Sequence, residues 1–287
     1  MNEMKITRAQ KWNAYKKNPL SLTLRILVTL AAVITIGVLM LLIGYILIKG
    51  LPYLKPSMFA WKYTSDNVSM MPAIINTITM TGLSLLIAVP LGVFSAIYLV
   101  EYAKRGNKLV GVIRMTAETL TGIPSIVYGL FGFLLFVIAC KFSYSIIAGA
   151  LTLSIMVLPV VLRTTEEALK AVPDTFREGS FGLGAGRLRT VFKVVLPSAV
   201  PGIVAGIILS VGRIVGETAA LIYTSGTVAG VAENLLSSGR TLSVHMYALS
   251  SEGLHVDQTY ATAVVLLIMV IGINALSYLA ARRITAR

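Results

Sequence analysis

Long uncharged runs divide the chain and predict its secondary structure. Six runs of at least 19 positions contain no Asp, Glu, Lys or Arg: 26–48, 67–100, 119–140, 142–162, 194–212 and 258–281. A hydrocarbon core of about 30 Å needs about 20 helical residues, and only helices or closed barrels satisfy the backbone in lipid. Because the runs are continuously apolar and do not alternate, they predict an all-α polytopic membrane protein with six transmembrane helices.

Composition supports a membrane protein and argues against two other classes. Only 13% of the 287 residues are charged and the mean hydropathy is +0.83, whereas a soluble domain carries roughly 25% charged residues. The net charge of +13 could suggest nucleic-acid binding, but such binding needs a basic face with interleaved polar residues. The first run is too long for a signal-peptide core, so it predicts a retained first helix.

The basic residues predict the orientation. Nineteen of the 25 lie in alternate segments: six before the first span, four after the second, six after the fourth and three in the tail. Five lie on the opposite side: Lys49, Lys55, Lys62, Lys141 and Arg240. The positive-inside rule then places both termini in the cytoplasm. Arg213 belongs to neither side, because it falls within a predicted span.

Several catalytic and cofactor sites are excluded by spacing. Gly182–Gly186 resembles a phosphate-binding loop, but no Gly-Lys-Ser/Thr sequence follows it, so a nucleotide site in this chain is not expected. His245 and His255 lack the spacing of a metal pair, and Cys140 has no partner for an internal disulfide. We therefore expect this chain to be no enzyme and to hold no metal or cofactor. Any process that it carries out must then draw its energy from another subunit or from an ion gradient.

A motif in the loop after the fourth run resembles the EAA motif of importer permeases. That motif reads Glu-Ala-Ala, three residues, Gly, nine residues, Ile, one residue and Leu-Pro. The matching positions here are Glu178, Gly179, Ser180, Gly184, Val194, Leu196 and Pro197. The resemblance implies a type I ABC importer permease (MetI-like) fold. It also implies that this loop docks into a cytoplasmic ATPase subunit, which would bind the ATP and Mg²⁺.

Further segments are similar to the phosphate-specific (Pst) branch of this family. They are Gly122–Gly132, Thr165–Leu169 and Gly212–Thr218. Within this branch, Gly216–Ala220 and Tyr247–Asn274 are more similar to PstA-type than to PstC-type permeases. The expected organisation is a cytoplasmic segment 1–25, a first helix 26–49 and a permease domain 71–281 with a coupling loop 163–197. The fifth helix is expected to begin near Pro197–Pro201.

Two charges in the fifth span suggest a substrate pathway. A charge near the bilayer centre costs about 2.5–3.5 kcal/mol or more, and Arg213 and Glu217 are four residues apart on one predicted helix face, where they could partly neutralise each other. The guanidinium fork suits an oxyanion, and the resemblance implies that the pair serves phosphate translocation. Ser210 and Thr218 are candidate neutral donors, although such hydroxyls often bond their own backbone.

The resemblance also implies the partners and the location. They are a homologous PstC-type permease, two copies of a PstB-type ATPase and a PstS-type phosphate-binding protein, in a bacterial or archaeal plasma membrane and without nucleic acid. Three alternatives stay open: a permease for molybdate or sulfate, a gradient-driven carrier, and an intramembrane enzyme. The carrier would be expected to show repeated halves, and the enzyme would need a nucleophile–base pair, neither of which the sequence contains.

Overall fold

The computed structural model describes residues 19–104 and 106–285. Most of the predicted segment 1–25 therefore lies outside the described residues. The ten helices of the described part are α1 Pro19–Gly50, α2 Met71–Tyr102, α3 Lys108–Thr121, α4 Ser125–Ala139, α5 Ile146–Lys170, α6 Asp174–Gly182, α7 Arg187–Val215, α8 Ala219–Thr224, α9 Leu242–Glu252 and α10 Val256–Thr285. Two short 3₁₀ turns, Leu51–Tyr53 and Pro56–Phe59, follow α1. The all-α prediction is confirmed.

Five helices are long and apolar enough to cross a membrane: α1, α2, α5, α7 and α10. The run 119–140 does not form a single straight span. Its first residues form the end of α3, and after a bend of 105° the rest of the run forms α4. Helix α4 has eight α-helical residues followed by seven in π geometry. At 1.5 Å per residue α4 is roughly 22 Å long. The bend falls at Gly122–Pro124, because a residue before proline is disfavoured in helical geometry.

The fifth span begins earlier than the sequence predicts. Its helix starts at Arg187, with a π segment at Val191–Val195, and continues without interruption to Val215. Leu196 and Pro197 therefore lie inside a membrane helix and not in a loop. Prolines are tolerated within such helices where local π geometry accommodates the backbone groups that they leave unpaired. Of the predicted coupling loop 163–197, only α6 and the short turns on either side of it lie outside the long helices α5 and α7.

The centre of the bundle is α5, on which α2 and α7 both pack extensively. Close approach depends on small residues: a side chain at Gly206 of α7 would collide with Thr164 of α5. Hydroxyls add contacts between α2 and α5, where Ser154 Oγ donates to the Ser84 carbonyl at 3.1 Å. Small residues and interhelical hydrogen bonds are the usual means of association in lipid, where apolar burial gives no driving force.

The amphipathic helix α3 and the first helix α1 lie at the periphery. Val110 of α3 is buried against Leu99 and Leu162, and Arg114 pairs with Glu166 of α5 at 2.6 Å. The sequence predicts this helix over 106–120 from its charge pattern, and the structure confirms it within two residues. Helix α1 packs mainly on α10. One end of the bundle is here called the basic end. It contains the C-terminal ends of α2 and α5, the start of α7, and helices α3 and α6.

Candidate functional site

The break between α7 and α8 brings the predicted pathway residues together. Arg213 lies in the last turn of α7, which ends at Val215. The chain then turns through Gly216, Glu217 and Thr218 before the short helix α8. Gly129 of α4 lies so close to Ala220 of α8 that any side chain at Gly129 would meet the Ala220 backbone. Close packing of α4 on α8 therefore fixes the position of the break.

Glu217 does not pair with Arg213, which corrects the prediction. Its carboxylate Oε1 accepts from the Ala220 backbone N–H at 3.0 Å, in the manner of a carboxylate at a helix N-terminus. Ser243 Oγ of α9 donates to the Glu217 backbone carbonyl at 2.5 Å. Glu217 is only 8% exposed. The two residues fall on different elements because α7 ends between them, so the i, i+4 geometry of a continuous helix does not apply.

Arg213 lies on an open face of α7. Among the described residues it has no ion-pair partner, and it is half-buried. Leu209 shares its face by helical spacing and is 62% exposed, and no atom lies within 4 Å of the position that a side chain would take at the neighbouring Gly212. The face thus presents one uncompensated guanidinium among small and apolar residues.

The two predicted neutral donors differ in position. Ser210 is fully buried, and its Oγ donates to the Gly206 carbonyl of its own helix at 2.9 Å. Thr218 lies in the break, half-buried, and its Oγ1 donates to the Gly216 carbonyl at 3.4 Å. Both hydroxyls therefore bond local backbone, and of the two only Thr218 lies in the break, next to Glu217.

At the basic end, α6 exposes the predicted coupling residues. Glu178 and Gly179 are exposed, and Gly184 has a φ of +81°, a conformation for which glycine is favoured. Ser180 Oγ and Thr190 Oγ1 are 2.8 Å apart and join α6 to the start of α7. Large apolar side chains surround these residues and are 40–89% exposed: Phe176, Phe181, Leu183, Leu188 and Phe192. This apolar patch was not predicted from the sequence, in which several of its residues stand directly beside an arginine or lysine.

A second feature missed from sequence is the clamp formed by Arg177 of α6. Its Nη2 lies 2.7 Å from Glu101 Oε1 at the end of α2 and 2.9 Å from the Leu169 carbonyl of α5. Its Nη1 donates to the Val172 carbonyl at 2.7 Å and to Asp174 at 3.2 Å. Charged hydrogen bonds of this kind are the stronger ones in proteins. One guanidinium thus connects α6 to two membrane helices.

At the opposite end of the bundle, Arg240 and His245 form a buried cluster with Tyr63. The Arg240 guanidinium lies 4.7 Å from the Tyr63 ring centroid, and the His245 ring meets the same ring edge-on at 6.1 Å. Arg240 is 4% exposed and His245 is fully buried. Burial and then the Arg240 charge lower the pKa of His245 to about 3, partly offset by the Val68 backbone. His245 is therefore neutral at physiological pH.

Acid is expected to destabilise the protein through His245. Its pKa in the unfolded chain is about 6.5, so between that value and about 3 the unfolded state binds a proton that the folded state does not. Stability is then full above pH 6.5 and falls by about 1.4 kcal/mol per pH unit below it. Melting temperatures of wild type and His245→Gln in detergent, from pH 7.5 to 5.0, test this. Equal pH slopes for the two proteins would contradict it.

A comparison with protein families identifies the chain. The family described as the binding-protein-dependent transport system inner membrane component matches residues 88–287. The chain belongs to this family of permeases. The curated relatives of this permease include the probable ABC transporter permease protein YqgI of Bacillus subtilis, 35% identical over 79% of this chain and 82% of the relative. The phosphate transport system permease protein PstA of Mycobacterium leprae is 34% identical over 74% and 71%. The predicted PstA-type resemblance is confirmed.

Solved structures show the same fold. A chain of a bacterial ABC transporter for alginate, in complex with its pentasaccharide-bound periplasmic protein, superposes with a TM-score of 0.67 at 17% identity, covering 96% of the permease and 98% of that chain. A chain of the inward-facing MetNI methionine ABC transporter gives a TM-score of 0.61 at 22% identity, covering 75% and 94%. The predicted type I ABC importer permease fold is confirmed.

Proposed function

We propose that this permease is the PstA-type subunit of an ATP-driven importer of inorganic phosphate. The observation that carries the substrate is the similarity to PstA proteins from several bacteria, including a Mycobacterium tuberculosis PstA 1 that is 44% identical over 154 residues, 54% of this chain and 50% of that protein. The chemistry of the break agrees, because an arginine without a carboxylate partner is suited to a phosphate oxyanion.

The open face of α7 forms this subunit's wall of the pathway. Leu209, Gly212, Arg213 and Gly216 lie along it, and a homologous PstC-type permease related by a pseudo-two-fold axis closes the pathway from the other side. Arg213 binds the anion. Glu217, fixed at the start of α8 by Ala220, and Thr218 border the site, and the negative charge of Glu217 opposes tight retention so that the anion can leave.

The chain itself is not catalytic, and ATP is hydrolysed by two copies of a PstB-type ATPase. Helix α6 docks on one ATPase through Glu178, Gly179, Ser180 and Gly184, together with the exposed apolar patch around Leu183. Leu196 and Pro197 of the same motif lie in α7 and position the docked segment. The Arg177 clamp passes movement of α6 to α2 and α5.

The basic end faces the cytoplasm of a bacterial or archaeal cell, and both termini lie on that side. Nineteen of the 25 basic residues fall in the sequence segments that are predicted to be cytoplasmic, as the positive-inside rule requires. The opposite end, which carries Arg240 and the turns after α1, faces a PstS-type phosphate-binding protein.

Uptake in a reconstituted system tests this function. Proteoliposomes that hold both permeases and the ATPase, supplied with the binding protein outside, are expected to accumulate radiolabelled phosphate only with ATP inside. Molybdate and sulfate in excess serve as competitors. Accumulation without ATP, or driven by an ion gradient, would contradict an ATP-driven importer, and equal uptake of sulfate would contradict phosphate as the substrate.

A further inference from the structure

A large cavity at the basic end adjoins the proposed ATPase-docking helix α6 but is lined mostly by residues outside that helix. It has a volume of about 980 Å³ and lies between the end of α2, the start of α3 and helix α6. Its lining includes six cationic side chains: Lys104, Lys108, Arg114, Lys170, Arg177 and Arg187. Only two carboxylates, Glu101 and Asp174, line it. The cavity is therefore strongly cationic.

Ion pairs divide the six cations into two groups. Arg114 and Lys170 each lie 2.6 Å from Glu166, and Arg177 pairs with Glu101. Lys104, Lys108 and Arg187 have no carboxylate partner in the part of the chain that the structure describes, although Arg187 lies 5.8 Å from the Tyr102 ring centroid. Three positive charges thus converge on one cavity without compensation.

The start of α3 adds to this positive potential. Asn107 caps the helix by accepting from the Leu109 N–H, but the first turn contains Lys108 and no acidic residue. A helix N-terminus carries a partial positive charge, so a lysine there is unfavourable unless an anion lies nearby. The two carboxylates that line the cavity both pair with Arg177: Glu101 at 2.7 Å and the exposed Asp174 at 3.2 Å.

The exposed apolar residues of α3 place this cavity at the membrane surface. One side of α3 is buried on α2 and α5 through Val110, yet Leu109, Val112 and Met115 are 58%, 60% and 67% exposed. A helix with exposed apolar residues beside lysines is typical of a segment that lies in the headgroup region of a bilayer. Lysines at that depth meet lipid phosphates, which attract each basic side chain near the surface.

We propose that this cavity binds the phosphate of an anionic phospholipid headgroup. The acyl chains lie along Leu109, Val112 and Met115, and the phosphate contacts Lys104 and Lys108, with Arg187 facing it from the start of α7. Such a lipid connects α3 to α6 and to the start of α7. Lipid binding does not depend on the proposed phosphate transport, so the two proposals fail separately.

Native mass spectrometry of the purified transporter complex tests the site. Phosphatidylglycerol is titrated against phosphatidylcholine for wild type and the double variant Lys104→Gln/Lys108→Gln. We expect saturable binding of phosphatidylglycerol to wild type and about thirtyfold weaker binding to the variant, from two surface charges. Lys55→Gln/Lys62→Gln removes two exposed lysines at the opposite end and is expected to bind as wild type does.

Three outcomes would overturn the proposal. Equal retention of phosphatidylcholine and phosphatidylglycerol would show that the cavity does not select a charged headgroup. If inorganic phosphate binds with the same dependence on Lys104 and Lys108 while phosphatidylglycerol does not, the cavity takes the free anion and not a lipid. If the double variant keeps its phosphatidylglycerol but loses the ATPase, the lysines contact the ATPase. Substrate-stimulated ATP hydrolysis in nanodiscs that lack anionic lipid is expected to fall for wild type as it does for the variant.

Discussion

Replacing Arg213 with Gln is expected to lower phosphate uptake by at least about tenfold while the complex still assembles. Arg213 is the cation that the open face of α7 presents, and no described carboxylate neutralises it. Hydrogen bonds to charged groups contribute about 1.5–3 kcal/mol, so losing the fork lowers uptake by roughly tenfold to a hundredfold. Radiolabelled uptake in proteoliposomes, normalised to the amount of assembled complex, measures the effect.

Matched variants separate anion binding from general damage. Arg163→Gln removes a positive charge that is half-exposed at the basic end, where it pairs with Glu118 and Glu167, and such exposed pairs contribute little. Its uptake is expected to stay close to wild type. Arg213→Lys keeps the charge without the planar fork and should restore part of the activity. Near-normal uptake by Arg213→Gln would remove Arg213 from the pathway.

The uncharged runs predicted where the spans lie but not where the helices begin and end. Arg187, Arg189 and Lys193 interrupt the hydrophobic pattern, so the predicted start of the fifth span moved to Pro197–Pro201. In the structure these cations lie on the first turns of α7, which extend beyond the apolar part of the helix. Charge marks the edge of the hydrocarbon and not the end of a helix, so the two boundaries differ wherever a helix continues past the lipid.

Arg213, Glu217 and Thr218 lie at or beside the break between α7 and α8, but the predicted pairing of Arg213 with Glu217 was wrong. An i, i+4 spacing predicts a shared face only if the helix continues, and α7 ends at Val215. Gly216 directly follows the end of α7, and the hydrogen bond from the Ala220 N–H to Glu217 lies at the start of α8. No pattern in the sequence Gly212–Thr218 indicates this break. The Arg177 clamp was missed for a similar reason, since its partner Glu101 is 76 residues away in sequence and reaches Arg177 only through the packing of α2 and α5.

Replacing Leu183 with Asp is expected to abolish ATPase association while the permease pair remains in the membrane. Leu183 is 89% exposed at the end of α6, beside the motif residues Glu178 and Gly184, so the apolar surface there is available to a partner. A charged side chain in the centre of such a contact would be buried without a counter-charge, which is strongly unfavourable. Co-purification of the ATPase on a tagged permease measures the loss.

Two further variants complete this test: the same substitution at an exposed leucine at the opposite end, and a charge reversal in the motif. Leu254→Asp makes the same change at a residue that is 81% exposed at the opposite end, so it should retain the ATPase, and any effect on the binding protein would appear separately in uptake. Glu178→Lys reverses a charge on α6 and should weaken association without altering apolar contact. If both α6 variants co-purify with ATPase whose hydrolysis remains stimulated by substrate, α6 is not the docking element. Loss of the ATPase with Leu183→Asp or Glu178→Lys, but not with Leu254→Asp, would place the ATPase contact at α6. Arg177 connects this helix to α2 and α5 through its hydrogen bonds to Glu101 and to the Leu169 carbonyl.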